Sequence, residues 1–149
     1  NIISEAYKRE GKIAGVPTGF KDLDKKLGGL HKSDLITIAG RPSMGKTALG
    51  TNIAFNAAKR FKESKDENGN KTTIDGGKVA FFSLEMSAEQ LATRVLAEQS
   101  KISSDKMRKA ELSKDDFKKI AKVSSELEKL NLFIDDNPIL TIPSLRAKS

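Results

Sequence analysis

The stretch Gly40-Arg41-Pro42-Ser43-Met44-Gly45-Lys46-Thr47 constrains this chain more than any other feature in it. It satisfies the pattern G-x-x-x-x-G-K-[ST] at every defined position. Average residue usage puts a chance match in a chain of 149 residues on the order of one in two hundred. The context agrees with the motif. Residues 35 to 39 form a short apolar, β-branched run that predicts a buried strand, and residues 46 to about 60 predict an alanine-rich helix. A strand, a tight glycine turn and a helix start, in that order, direct backbone N–H groups and the positive helix end at one point. Phosphate oxygens fit there. Glycine at Gly40 and Gly45 lets the backbone turn tightly and approach phosphate without a Cβ clash. The pattern assigns Lys46 to the β- and γ-phosphates and the Thr47 hydroxyl to Mg²⁺. A plain glycine-rich turn with a surface lysine is the competing reading, and the low chance-match rate argues against it.

Strands and helices alternate along the rest of the chain. Residues 15 to 30 are punctuated by Pro17, Gly19, Gly28 and Gly29, with Phe20, Leu23 and Leu27 at helical spacing, which predicts a short helix with a glycine C-cap. Residues 61 to 78 are polar, with turn signals at Asn68-Gly69 and Gly76-Gly77, and predict an exposed excursion, as a small hairpin or a disordered segment. Residues 79 to 84 predict a second buried strand. Ser87 and Gln90 then make a capping-box pattern, followed by Leu91, Val95 and Leu96 on an apolar face. Ser113 opens another helix with Phe117, Ile120, Leu127 and Leu130 on a core stripe, and residues 132 to 134 predict a third strand. Thr141 caps a last helix. The expected architecture is α/β, a parallel sheet flanked by helices on both faces.

Composition excludes several function classes. The chain has no cysteine and one histidine, His31, so thiolate metal sites, disulfides, a cysteine nucleophile and a histidine triad are set aside. No apolar run spans a bilayer, and Glu5, Lys8, Arg9 and Glu10 break any secretory leader, so a cytoplasmic setting without membrane contact is expected. The net charge of +7 is compatible with a nucleic-acid or nucleotide partner. The lysines alternate with acids, however, and no interleaved aromatic and basic surface stands out.

Two carboxylates follow predicted strands. Glu85 comes after the second strand, at a strand end that lines the ligand crevice of an open α/β sheet. If that strand neighbours residues 35 to 39 it would face the γ-phosphate and orient an attacking water, and otherwise it simply favours the following helix N-terminus. Asp135 closes the apolar run of the third strand like a magnesium-holding acid, but an acidic turn before Asn137-Pro138 explains it equally well. His31 reads as a solvated turn residue. Gln90 and Arg94 share a helix face, where they either meet a ligand or neighbour or form a solvated pair.

The match widens beyond one motif. Thr18-Gly19-Phe20, Leu23-Asp24, Gly28-Gly29-Leu30, Asp34-Leu35 and the glycine-rich loop itself resemble the start of the DnaB helicase motor domain. Phe82-Ser83-Leu84-Glu85-Met86 and Leu132-Phe133-Ile134-Asp135-Asp136 continue the resemblance. KaiC- and RadA-like relatives share the Thr-Gly opening but usually lack Arg-Pro-Ser-Met and Ser-Leu-Glu-Met. The resemblance implies a RecA-like P-loop fold, ATP and Mg²⁺, a homohexamer, single-stranded DNA, primase and a helicase loader. It places nucleotide contacts at Gly40, Arg41, Pro42, Ser43, Met44, Gly45, Lys46, Thr47 and Ala48, metal at Thr47, and catalysis at Lys46 and Glu85. It also implies that residues 1 to 15 end a linker arm. Residues 16 to 149 are then the N-terminal part of the motor domain, short of the Walker B strand, the arginine finger and the main DNA-binding loops. The alternatives are a RecA-, KaiC- or RadA-like ATPase and a nucleotide-binding assembly module, neither of which unwinds DNA.

Overall fold

The computed structural model describes residues 13–65, 67 and 69–148. The expected arm over residues 1 to 12 and the turn residue Asn68 lie outside them. Two compact units make up the chain, Asn1–Lys78 and Val79–Ser149.

The first unit begins with an antiparallel bridge between Val16 and Leu30. Between its two sides sits α1, Lys21–Leu27, with Asp22 and Asp24 in its first turn and Lys25 and Lys26 in its last. That charge order suits the helix dipole. Gly28 ends the helix in the left-handed conformation, its N–H donating to the Asp24 carbonyl, as the glycine C-cap predicts. The buried residue of α1 is Asp24, however, while Phe20 and Leu27 are each 38% exposed. The helix is therefore fixed by a polar contact as much as by its apolar spacing.

The predicted strand at residues 35 to 39 is not formed. These residues are exposed and take no part in a strand among the described residues, and Leu35 is 94% exposed. A strand exists only through a neighbour that takes its N–H and C=O groups, and no described residue of this unit lies alongside. The helix after the glycine turn is as expected. Helix α2, Lys46–Lys59, is alanine-rich and buries Thr51, Ala54, Phe55, Ala57 and Ala58. The excursion is a small hairpin: β1, Lys62–Lys65, pairs antiparallel with β2, Lys71–Asp75. Its return is fastened to α2 by the Gly77 N–H on the Ala57 carbonyl (3.1 Å) and by Arg60 on Asp75 (3.3 Å).

The second unit is a crossover between parallel strands. Strand β3, Val79–Phe82, pairs in parallel with β4, Leu132–Asp135, in the register Val79↔Leu132 to Phe82↔Asp135. Strand β3 stops short of the expected Leu84, which is 64% exposed in the bend that follows. The connection holds α3, Ala88–Ser100; a short α4, Ser104–Arg108; and α5, Lys114–Glu128. The chain then passes through β4 to α6, Ile142–Lys148. Helix α3 packs on α5 and buries Leu91 and Val95. The expected stripe on α5 is only half realised. Phe117 is 62% exposed, and no α5 residue is fully buried.

Candidate functional site

The turn before α2 takes the shape its glycines predict. Ser43 has φ +62° and Gly45 +87°, with the Met44 N–H returning to the Arg41 carbonyl at 3.3 Å. Alternation of left-handed and right-handed residues turns successive N–H groups toward one concave side, which suits an anion. The α2 ladder starts with the Leu49 N–H on the Gly45 carbonyl at 2.9 Å. The first N–H groups of a helix have no intrahelical acceptor. Here no side chain caps them, and no acid sits in the first turn to compete for the same place. The Lys46 stem lies over Gly40, where an added Cβ would meet its Cγ at 3.4 Å.

Residues 40 to 46 are exposed, and Thr47 and Ala48 are half-buried. The donor set fits a polyphosphate: a bare helix N-terminus, a glycine-formed concavity, a lysine and a hydroxyl. Two side chains brace this end of α2 from behind. The Thr51 hydroxyl donates to the Thr47 carbonyl at 2.8 Å, and the Asn52 amide donates to the Ala48 carbonyl at 2.9 Å.

Glu85 belongs to the second unit, exposed in the bend between β3 and α3. The Ser83 hydroxyl shapes that bend by accepting the Met86 N–H at 3.1 Å. The capping box is complete: Ser87 accepts from the Gln90 N–H and Gln90 Oε1 accepts from the Ser87 N–H, each at 3.2 Å. This occupies the Gln90 side chain, while Arg94 is exposed. Asp135 follows the acidic-turn reading. Its Oδ1 accepts the Asn137 N–H at 3.0 Å, and its Oδ2 accepts from Lys148. The Lys148 hydrogen bond, then the Asn137 N–H, hold its carboxyl below the ordinary 3.8. Its neighbour Asp136 accepts the Ala88 N–H at 2.8 Å, at the α3 N-terminus. His31 is exposed, as expected.

Two features escaped the sequence reading. One is α4, whose signal was Ser103, which accepts the Lys106 N–H at 3.3 Å. The other is a buried cluster of Thr18 and Asp24 tied to Asn56 of α2. Its signal was an acid inside an otherwise apolar helical spacing.

A strand–helix crossover and a glycine-rich turn of the P-loop pattern at the head of a helix define an α/β protein of the P-loop class. The family described as DnaB-like helicase C terminal domain matches residues 15–149, and the chain belongs to it. The chain is 44% identical over 149 residues to the replicative DNA helicase DnaB of Rickettsia prowazekii (strain Madrid E), covering 99% of this chain and 29% of that protein. Among solved structures, the ATPase domain of the protein G40P superposes with a TM-score of 0.81 at 27% identity, covering 99% of this chain and 47% of that one. A DnaB-like replicative helicase studied for its interactions with primase gives 0.79 at 27% identity, with 99% and 32% covered. The fold is thus RecA-like in the form these helicase ATPase domains share. The chain spans under a third of the curated relative's length.

Proposed function

We propose that this chain supplies the nucleotide-binding part of an ATP-driven replicative DNA helicase motor. The observation that carries the proposal is the bare, acid-free N-terminus of α2 behind the left-handed turn at Ser43 and Gly45. In this reading the N–H groups from Gly45 to Ala48 hold the phosphate oxygens, and Lys46 balances their charge. The Thr47 hydroxyl would be this chain's own ligand for Mg²⁺, which when bound would supply charge neutralisation for the phosphates. Arg41, Pro42, Ser43 and Met44 form the wall of the turn. Glu85 is proposed as the carboxylate that orients water and takes its proton, on the strength of its place immediately beyond β3 and of the family resemblance.

The whole-protein assignments belong to the same proposal: single-stranded DNA as track, a homohexameric ring, primase and a loader as partners, and a cytoplasmic setting. Residues 1 to 15 are proposed as the end of a linker arm. The deciding experiment is Lys46→Ala in the complete protein, with ATP turnover and forked-DNA unwinding measured together. Both should fall to background. Wild-type levels of both would sink the proposal. Turnover without unwinding in the unaltered protein would point instead to a RecA-, KaiC- or RadA-like ATPase.

A further inference from the structure

The end of α2 that faces phosphate is its least anchored end. Its buried residues, from Thr51 to Ala58, all lie beyond the first turn. The contacts that fix the helix lie further along. The Asn56 amide donates to the Thr18 carbonyl at 3.0 Å, and the Ala57 carbonyl accepts the Gly77 N–H.

The Asn56 contact is backed by a buried carboxylate. Thr18 is fully buried and Asp24 is 5% exposed. Asp24 Oδ1 accepts both the Thr18 N–H and the Thr18 hydroxyl at 2.7 Å, and Oδ2 accepts the Gly19 N–H at 3.2 Å. A carboxylate taken out of water is costly unless donors satisfy it, so these bonds hold the loop in one conformation. Gly19 completes the arrangement. Its φ is +86°, and a Cβ there would fall 2.1 Å from Asn56 Nδ2. Asn56 therefore packs onto bare backbone, with its amide held in reach of one carbonyl.

None of these groups belongs to the phosphate cradle, which lies about 15 Å back along the helix at 1.5 Å per residue. We infer that Asp24, Thr18 and Asn56 are positioning residues for the nucleotide site. They set the depth and axis of α2, and with it the point at which the Lys46 end meets phosphate. The inference rests on the phosphate-binding reading of the glycine-rich turn.

A purely stabilising role would lower the melting temperature and leave affinity alone, so affinity is the readout. Asn56→Asp keeps the side-chain volume but turns an acceptor toward the Thr18 carbonyl. In the complete protein, its Kd for a fluorescent ATP analogue should rise about fivefold or more, and KM for ATP should rise by a larger factor than kcat falls. Gly19→Ala displaces the same amide from the opposite side and should weaken binding similarly. Combined with Asn56→Asp, it should add less than its own effect. Thr18→Val removes one donor and covers the case in which Asn56→Asp does not fold; it should weaken binding, whereas Thr18→Ser should bind like the wild type. A lowered melting temperature with unchanged Kd in the folded variants would overturn the inference. Lys46→Ala in the same assay separates the two levels. Wild-type binding there removes the phosphate reading itself, whereas lost binding there with silent anchors removes only the positioning role.

Discussion

Gly45 meets two demands. Its φ of +87° is in the left-handed region, and no atom lies within 4 Å of where a Cβ would stand. Space is available, so the constraint is conformational. Gly45→Ala should cost about 1–2 kcal/mol from the backbone alone, seen as a lower melting temperature, and it should weaken nucleotide binding as the turn relaxes. Asp116 makes a residue-scale prediction about acid. The Ser113 N–H, then its hydroxyl, hold the Asp116 carboxyl below the ordinary 3.8. A depressed folded value means the contribution is fully present above the ordinary carboxylate range and is lost as pH falls through the lower folded value. Ser113→Ala removes the hydroxyl but keeps the larger N–H contact. It should therefore shrink that acid limb without abolishing it in stability measured against pH, with little change at neutral pH beyond the lost cap. At this scale the second left-handed residue of the turn is Ser43 and not the expected Gly40, whereas the left-handed Gly45 at the head of α2 was legible, because its contacts are local. The Thr18–Asp24–Asn56 cluster was not, since its partners are 38 residues apart in the chain and no short pattern links them.

Among the elements, α3 is fixed at its start by three separate groups. Ser87 and Gln90 satisfy each other's backbone N–H groups, and Asp136 accepts from Ala88. Ser87→Ala should cost about 1 kcal/mol. Asp136→Ala should add a loss of its own, measured by denaturant unfolding, because it ties the end of β4 to α3 rather than repeating the box. The helices were readable because caps and alanine content act within a turn or two of the chain. Strands were less so. Residues 35 to 39 and the β3 segment present similar apolar runs, yet only β3 finds a partner, at Leu132–Asp135. An apolar run records a tendency to be covered; what covers it is set elsewhere. The exposure of Phe117 follows the same rule, since helical spacing defines a face but does not supply the surface opposite it.

Over the described residues, the buried apolar set is small: Ala54, Phe55, Ala57, Ala58, Leu91, Val95 and Ile102. Leu91, with no exposed surface, is the strongest single point in the second unit. Leu91→Ala should cost about 2–5 kcal/mol, and a cooperative unfolding transition would shift accordingly. Exposed apolar residues are conspicuous by comparison. Leu35 is 94% exposed, and Ile36 and Ile38 are over 40% exposed on a backbone that joins no strand among the described residues. A polypeptide of this sequence alone should self-associate through that stretch. Light scattering should show mass rising with concentration, and a Leu35→Lys, Ile38→Lys pair should suppress the rise.

The stretch from Leu35 to Ala39 runs directly into Gly40, so the entry to the glycine-rich turn is a length of backbone that pairs with no strand among the described residues. Hydrogen–deuterium exchange would see this at once. Amides from Ile36 to Ala39 should exchange at nearly the free-peptide rate while the stretch is bare, and slow by orders of magnitude when a strand settles beside it. Whatever quiets those amides also stiffens one lip of the cradle. Deuterium uptake at these residues is therefore a clock for when the turn beside them is held still.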